Sequence, residues 1–419
     1  MGRTIAEKVL SAHSESECGA GDIVIASVDF CMAQDGTSRL MMQELTRLGF
    51  TGPKTSKGAA VVLDHSSPSP SADVSRIHSS IREFSRAHSI DVHDVGEGVC
   101  HQVVPESGRV SPGDLVVGAD SHTCTYGALN ACSTGLGSAD VAAAAHTGKL
   151  WFKVPETMTV NISGSFESGV SAKDLALSVI GDVGADGATY MSVEFSGSGV
   201  PSIGMDGRMT VSNMAVEMGA KFGVFPFDSV TGSWYASLGL APEKGVAADD
   251  DASFARVVEV DVSDLTPKVA KPDRVDNVVD VADCSDVEIH QVFLGTCTNG
   301  RLSDLAAAAR ILKGQRVRKG LRLIVAPASR NVLAKAIETG IAGQLLASGA
   351  VIVSPGCGPC VGTHAGIPSD GERVLSTANR NFRGRMGNNK GVEIFLASPE
   401  TAAATAIRGR MTDPREVLA

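Results

Sequence analysis

The chain has little that would suit it to nucleic acid, to a membrane or to an oxidising compartment. Its 419 residues carry 37 Lys and Arg against 47 Asp and Glu, a net charge of -10. With no basic stripe, this excludes a general nucleic-acid binder. It also means that a site for an anionic substrate must concentrate its arginines locally. No apolar run approaches the roughly 20 residues that cross a bilayer. Runs such as 323–328 and 350–353 read as buried strands. The opening Met-Gly-Arg-Thr-Ile-Ala-Glu-Lys lacks the apolar centre of a secretory leader. Nine cysteines, an odd number, are scattered without a disulfide framework, which suits a reducing, cytoplasmic setting. Aromatics are only 4% while Gly reaches 46 residues, so packing falls to Ala, Gly, Val and Ile, as in α/β layers. There is no internal repeat and no long low-complexity tract.

What is present alternates in βαβα fashion. Strands are expected at 22–28, 59–63, 114–117, 158–162, 288–294 and 321–325. Helices are expected at 38–48, 73–87, 138–146, 172–179, 303–311 and 331–339. The Ser/Pro-rich segment 66–75 reads as a loop after a strand. Val154-Pro155-Glu156 and the polar stretch 266–283 read as joints. They divide the chain into expected domains 1–155, 156–275 and 276–419.

Three cysteines dominate the chemistry: Cys297 in Gly-Thr-Cys-Thr-Asn, and Cys357 and Cys360 in Pro-Gly-Cys-Gly-Pro-Cys. Three thiolates do not close a cubane iron–sulfur cluster, which takes four protein ligands. One iron would be left open, and an open position is where substrate chemistry happens. Other readings stand at this point. The pair is compatible with a redox dithiol or, with His364, a Cys3His zinc site, and free buried cysteine is common.

Polar clusters fall at expected strand ends, where α/β folds place their chemistry. They are Asp64-His65, His101-Gln102 and Asp120-Ser121-His122-Thr123. Neighbours on an extended chain point apart, so a carboxylate partner for each imidazole is expected across loops. Near the end lies Asn379-Arg380-Asn381-Phe382-Arg383-Gly384-Arg385, beginning 19 residues after Cys360. Its arginines alternate with Asn and Gly rather than with other charges, the pattern for bidentate carboxylate capture.

Gly-Ala-Asp-Ser-His-Thr (118–123), Gly-Thr-Cys-Thr-Asn (295–299), Cys-Gly-Pro-Cys (357–360) and Asn-Arg-Asn-Phe-x-Gly-Arg (379–385) together resemble the aconitase family. The resemblance runs essentially from Asp22 to Pro414. It implies a three-domain α/β/α arrangement around an iron–sulfur cluster, without the C-terminal swivel domain. Cys297, Cys357 and Cys360 would hold a 4Fe–4S cluster with one iron not ligated by protein. Gln34 and Ser121 resemble substrate contacts, and Asp64 and His65 the pair that protonates the leaving hydroxyl. His101, Asp120 and His122 resemble the residues around the iron-bound water. Glu217 resembles the acid acting there, and Asn213, Asn299 and Asn379 resemble cluster neighbours. Arg380 and Arg385 would bind substrate carboxylate. Asn130, Cys132 and Thr296 depart from the family pattern beside the site.

Length and His-Thr-Cys-Thr-Tyr-Gly-Ala (122–128) resemble the archaeal-type branch of large subunits acting on isopropylmalate, homocitrate, citramalate and dimethylmalate types. A separate small subunit carrying the swivel domain, the catalytic base and further arginines is therefore an expected partner. Dehydration of a hydroxy acid needs a proton removed beside a carboxylate and hydroxide expelled, and a Lewis-acid iron eases both. Two non-enzymatic readings compete. An iron-responsive RNA regulator conflicts with the acidic charge, and a zinc scaffold would be colourless.

Overall fold

Every residue of Phe30–Gln34, Ala59–Val62 and Leu115–Gly118 is buried, the mark of parallel strands covered on both faces. In the computed structural model, which describes residues 2–242 and 244–418, these strands form a parallel five-stranded sheet. Its order is Asp91–His93, Ala59–Val62, Phe30–Gln34, Leu115–Gly118, Cys132–Gly135. Period-two alternation divides the side chains between two cores. Cys31, Ala33, Val61 and Val117 pack with Met41 and Leu45 of helix Asp35–Arg47. Phe30, Met32, Val62 and Val116 face Val103, Tyr126, Met209 and Tyr235.

A second parallel sheet orders Phe222–Val224, Ser192–Ser196, Thr157–Ser163 and Arg256–Asp261. A third, of seven strands, has a parallel centre of Glu393–Ala397, Arg373–Ser376, Gln291–Gly295 and Arg322–Ala326. Lys268–Ala270 and Val278–Asp280 extend it antiparallel on one side, and Val351–Ile352 closes the other. The chain is therefore α/β, with helices packed over largely parallel sheets. Among the described residues no helix is long and apolar enough to cross a membrane.

One expected strand forms outside the parallel sheets, and two expectations are corrected. The strand expected at 22–28 pairs antiparallel with Lys149–Lys153 in a two-stranded ribbon apart from the parallel sheets. Its alternate residues Ile23 and Ile25 face solvent. The run 350–353 is an edge strand of two residues with Val351 56% exposed, so its apolar composition does not signal two-sided burial. The loop after Ser66 ends earlier than 75, because Ser71 accepts from the Val74 amide and starts helix Ala72–Ala87.

Helix Met205–Met214 joins the layers. Thr210 Oγ1 donates to the Thr298 carbonyl at 2.7 Å, and Asn213 Nδ2 donates to Thr125 Oγ1 at 2.8 Å. Its Arg208 is fully buried. The guanidinium donates to both Asp228 oxygens at 2.8 and 2.5 Å and to the Ile203 and Val200 carbonyls. Arg208 is buried while Asp228 keeps some contact with water, so removing the arginine and its hydrogen bonds costs about 1–3 kcal/mol. Arg208→Met is accordingly expected to lower the urea midpoint of unfolding by that equivalent, and an unchanged midpoint would contradict this account of the helix anchor.

Candidate active site

The carboxyl ends of the first and third sheets point into one cleft of about 620 Å³. Gln34 ends its strand, while His65 follows the end of Ala59–Val62, Asp120 the end of Leu115–Gly118, and Cys297 the end of Gln291–Gly295. Such crevices beyond strand ends are where open α/β sheets bind ligands. Gln34, His65, His101, Asp120, Ser121, His122, Cys297, Cys357, Cys360, Asn379, Arg380 and Arg385 all line the cleft. Asp64, Asn213 and Glu217 sit behind that lining and touch it.

Asp120 is the hub. Its Oδ1 accepts from His101 Nε2 at 2.7 Å and from the His122 amide at 2.9 Å. Its Oδ2 lies 3.4 Å from His65 Nε2. Burial would raise the Asp120 pKa, but the surrounding histidines hold it well below the ordinary carboxylate range. His65 Nδ1 meets Asp64 Oδ1 at 2.7 Å. This corrects the expectation that adjacent Asp and His point apart. The chain has left its strand and turns at 65–66, which swings both side chains to one side. Burial would lower the His65 pKa, but the flanking Asp64 and Asp120 carboxylates raise it well above its usual value.

On the far wall His122 Nε2 meets Glu217 Oε1 at 2.8 Å. Arg380 Nε lies 2.9 Å from the same oxygen, and its Nη1 donates to Ser121 Oγ at 2.9 Å. Burial opposes ionisation of Glu217, yet His122 and Arg380 together pull its pKa below the usual value.

The cysteines are all buried. Among the described residues, no three donor atoms of Cys297, Cys357, Cys360 and His364 gather within 4.8 Å of one another. A single zinc with bonds of about 2.3 Å would need them that close. His364 is moreover engaged with Thr363 Oγ1 at 2.9 Å and the Ser67 carbonyl at 3.1 Å. The wide spacing suits a cluster, and donors are aimed at the sulfurs. Asn213 Nδ2 lies 3.3 Å and Asn379 Nδ2 3.7 Å from Cys297 Sγ, and Arg385 Nη2 lies 3.4 Å from Cys360 Sγ. Such contacts tune iron–sulfur centres. Burial pushes the Cys297 thiol up to about 11, so its proton leaves only when a cation takes its place. Gly295 (φ 153°) and Thr296 (φ 67°) make the sharp turn that presents Cys297. A β-branched residue in the left-handed region is a genuine outlier, of the kind found at functional sites.

Asn299 is not brought to the cleft. It donates to Asp304 Oδ1 at 3.0 Å and faces a separate cavity. Asn130 is left-handed (φ 66°) and buried, donating to the Phe225 and Val246 carbonyls, and Cys132 is core. Neither lines the cleft. The sequence reading missed its apolar wall, Ala119, Leu136 and Val361 with Thr37. Residues of those types carry no motif of their own.

The sequence matches the aconitase family (aconitate hydratase) over residues 7–409. The chain belongs to the aconitase family. It is 50% identical over 419 residues, all of both chains, to "3-isopropylmalate dehydratase large subunit 2" of Archaeoglobus fulgidus. It is 48% identical, again over all of both chains, to "3-isopropylmalate dehydratase large subunit 1" of Methanopyrus kandleri. A "Probable methanogen homoaconitase large subunit" of Methanosarcina mazei is 46% identical over 395 residues, 94% of this chain and 100% of that one. The crystal structure of Thermococcus kodakaraensis aconitase X aligns with a TM-score of 0.51 at 12% identity, covering 89% of this chain and 88% of that one. This last likeness shows the fold alone. The family implies a 4Fe–4S cluster, and the relatives' names imply a small-subunit partner.

Iron analysis checks the cysteine assignment. After anaerobic reconstitution the chain is expected to hold about four irons, and Cys357→Ser to lose them with the visible absorbance. A full iron complement in that variant would contradict it.

Proposed function

We propose that the chain is the cluster-binding large subunit of a 3-isopropylmalate dehydratase. It interconverts 2-isopropylmalate and 3-isopropylmalate by removing and returning water, a step of leucine biosynthesis. The observation that carries this reading is the convergence of the three cysteines, the Asp64–His65–Asp120 chain and two arginines on one cleft. The full-length likeness to large subunits of that name supports it.

When bound, the cluster supplies one Lewis-acidic iron, free of protein ligands, beside the substrate's hydroxyl and carboxylate. The chain's own residues do the rest. Arg380 and Arg385 fix the carboxylates so that water returns at the neighbouring carbon. Glu217 holds Arg380 Nε while Ser121 holds Nη1, which pre-sets the guanidinium fork. His65, kept protonated by two carboxylates, hands its Nε2 proton to the departing oxygen. His101 and His122 keep Asp120 ionised behind it. Gln34 and Ser121 orient the substrate. The base that removes the carbon-bound proton comes from the swivel-domain small subunit. A second reading, homoaconitase, is favoured by the Methanosarcina mazei relative; the two differ in the group beyond the shared malate core.

Two assays test the reading. The reconstituted chain alone is expected to show negligible turnover of 2-isopropylmalate until a small subunit is added, and full activity of the isolated chain would refute the division of labour. Arg380→Lys keeps the charge but loses the fork. It is expected to cost about 2–4 kcal/mol of transition-state binding in kcat/KM, with iron content kept. Near-normal kcat/KM would reduce the arginine cluster to a solvated face.

A further inference from the structure

Asp35 adjoins Gln34 and opens helix Asp35–Arg47, yet it does not line the cleft. It is 5% exposed, and its carboxylate is filled by four donors. Oδ1 accepts from the amides of Asp64 at 3.3 Å and His65 at 2.8 Å. Oδ2 accepts from the Ser66 amide at 2.9 Å and lies 3.1 Å from His78 Nε2. His78, from helix Ala72–Ala87, is 2% exposed. This is its one side-chain hydrogen bond among the described residues. A carboxylate this far from water is tolerated only with its lone pairs satisfied, and its place at a helix N-terminus favours the charge.

We propose that Asp35, braced by His78, is a positioning residue for His65. Three successive amides leave strand Ala59–Val62 without sheet partners, and buried amides need acceptors. One side chain that takes all three fixes the dihedral angles of the turn. It thereby fixes the point from which the His65 ring reaches between Asp64 and Asp120. The other side of the same turn is clamped to the cysteine loop. The Asp64 carbonyl accepts from the Cys357 amide at 2.7 Å, and Thr363 Oγ1 donates to the His65 carbonyl at 2.7 Å. Asp35 touches neither substrate-facing atoms nor cysteine sulfur, so its effect on the reaction passes through this turn, which carries the His65 ring. The inference rests on the reading of His65 as the proton donor.

A double-mutant cycle in the reconstituted two-subunit enzyme tests it. Asp35→Asn keeps the size but offers one acceptor oxygen in place of two and turns an NH2 towards donors. It is expected to lower kcat about 10- to 100-fold, the scale of a small misplacement of a reacting group. KM should change less than about threefold and iron content should stay the same, since the substrate and cluster contacts are untouched. On a His65→Gln background the same change is expected to cost less than about twofold more, since coupled residues are not additive. A merely structural Asp35 would lower activity equally in both backgrounds, and that result overturns the proposal. Full kcat in Asp35→Asn beside an inactive His65→Gln also overturns it, while leaving the reading of His65 intact. Activity retained in His65→Gln overturns both. Should Asp35→Asn fail to accumulate folded, His78→Leu serves instead. There a fall in kcat of about fivefold is expected from the looser carboxylate, and an unchanged kcat overturns the proposal.

Discussion

The active cleft depends on one carboxylate shared among three histidine residues. Asp120 accepts hydrogen bonds from the His101 ring and the His122 amide, and it faces the ring of His65. A charge buried to this degree persists only if its partners are fixed. His101 sits in the first turn of helix Cys100–Glu106, whose Cys100 amide is held by Asp64. His122 in turn is tied through Glu217 to Arg380. A chain of charge-assisted contacts thus runs from the first sheet, through the turn after helix Met205–Met214, to the arginine segment that follows strand Arg373–Ser376 of the third sheet. Each member is oriented by the next, which is the preorganisation that electrostatic catalysis requires.

The sheets explain why these groups meet. Parallel strands deliver their carboxyl ends to one rim, so residues more than 300 apart in sequence, such as His65 and Arg380, share a cleft. The sharp turn at Gly295 and Thr296 is part of the same construction. Position 295 needs glycine, since a Cβ there would stand 2.3 Å from the Ala326 carbonyl.

Much of this was legible in the chain because the chemistry is carried by distinctive residue types. Cys297, Cys357 and Cys360 stand out by spacing, and Arg380 and Arg385 stand out against an acidic composition. The α/β class followed from the alternation of short apolar runs, such as 114–117, with helical stretches. Less was legible where tertiary contact decides. Asn213 and Glu217 carried a signal only through the family resemblance, and their partners Cys297 and His122 appear only in the fold. Asn299 shares a motif with Cys297 yet turns towards Asp304, because a helical turn sends neighbours to different faces. The Asp64–His65 bond was invisible because the geometry of the turn, and not that of the strand, sets the two side chains. Leu136 and Val361 carry no signal at all until the wall they share is seen.

The central claim of the proposed function is that a bound cluster would meet substrate at one iron which the three cysteines leave open. Mössbauer spectroscopy tests this most directly. The labile position is loaded with iron-57, the small subunit is added, and spectra are taken with and without 2-isopropylmalate. The account predicts that the labelled iron alone changes its isomer shift and quadrupole splitting on substrate addition. A labelled iron blind to substrate, in an enzyme that still turns over, would contradict it.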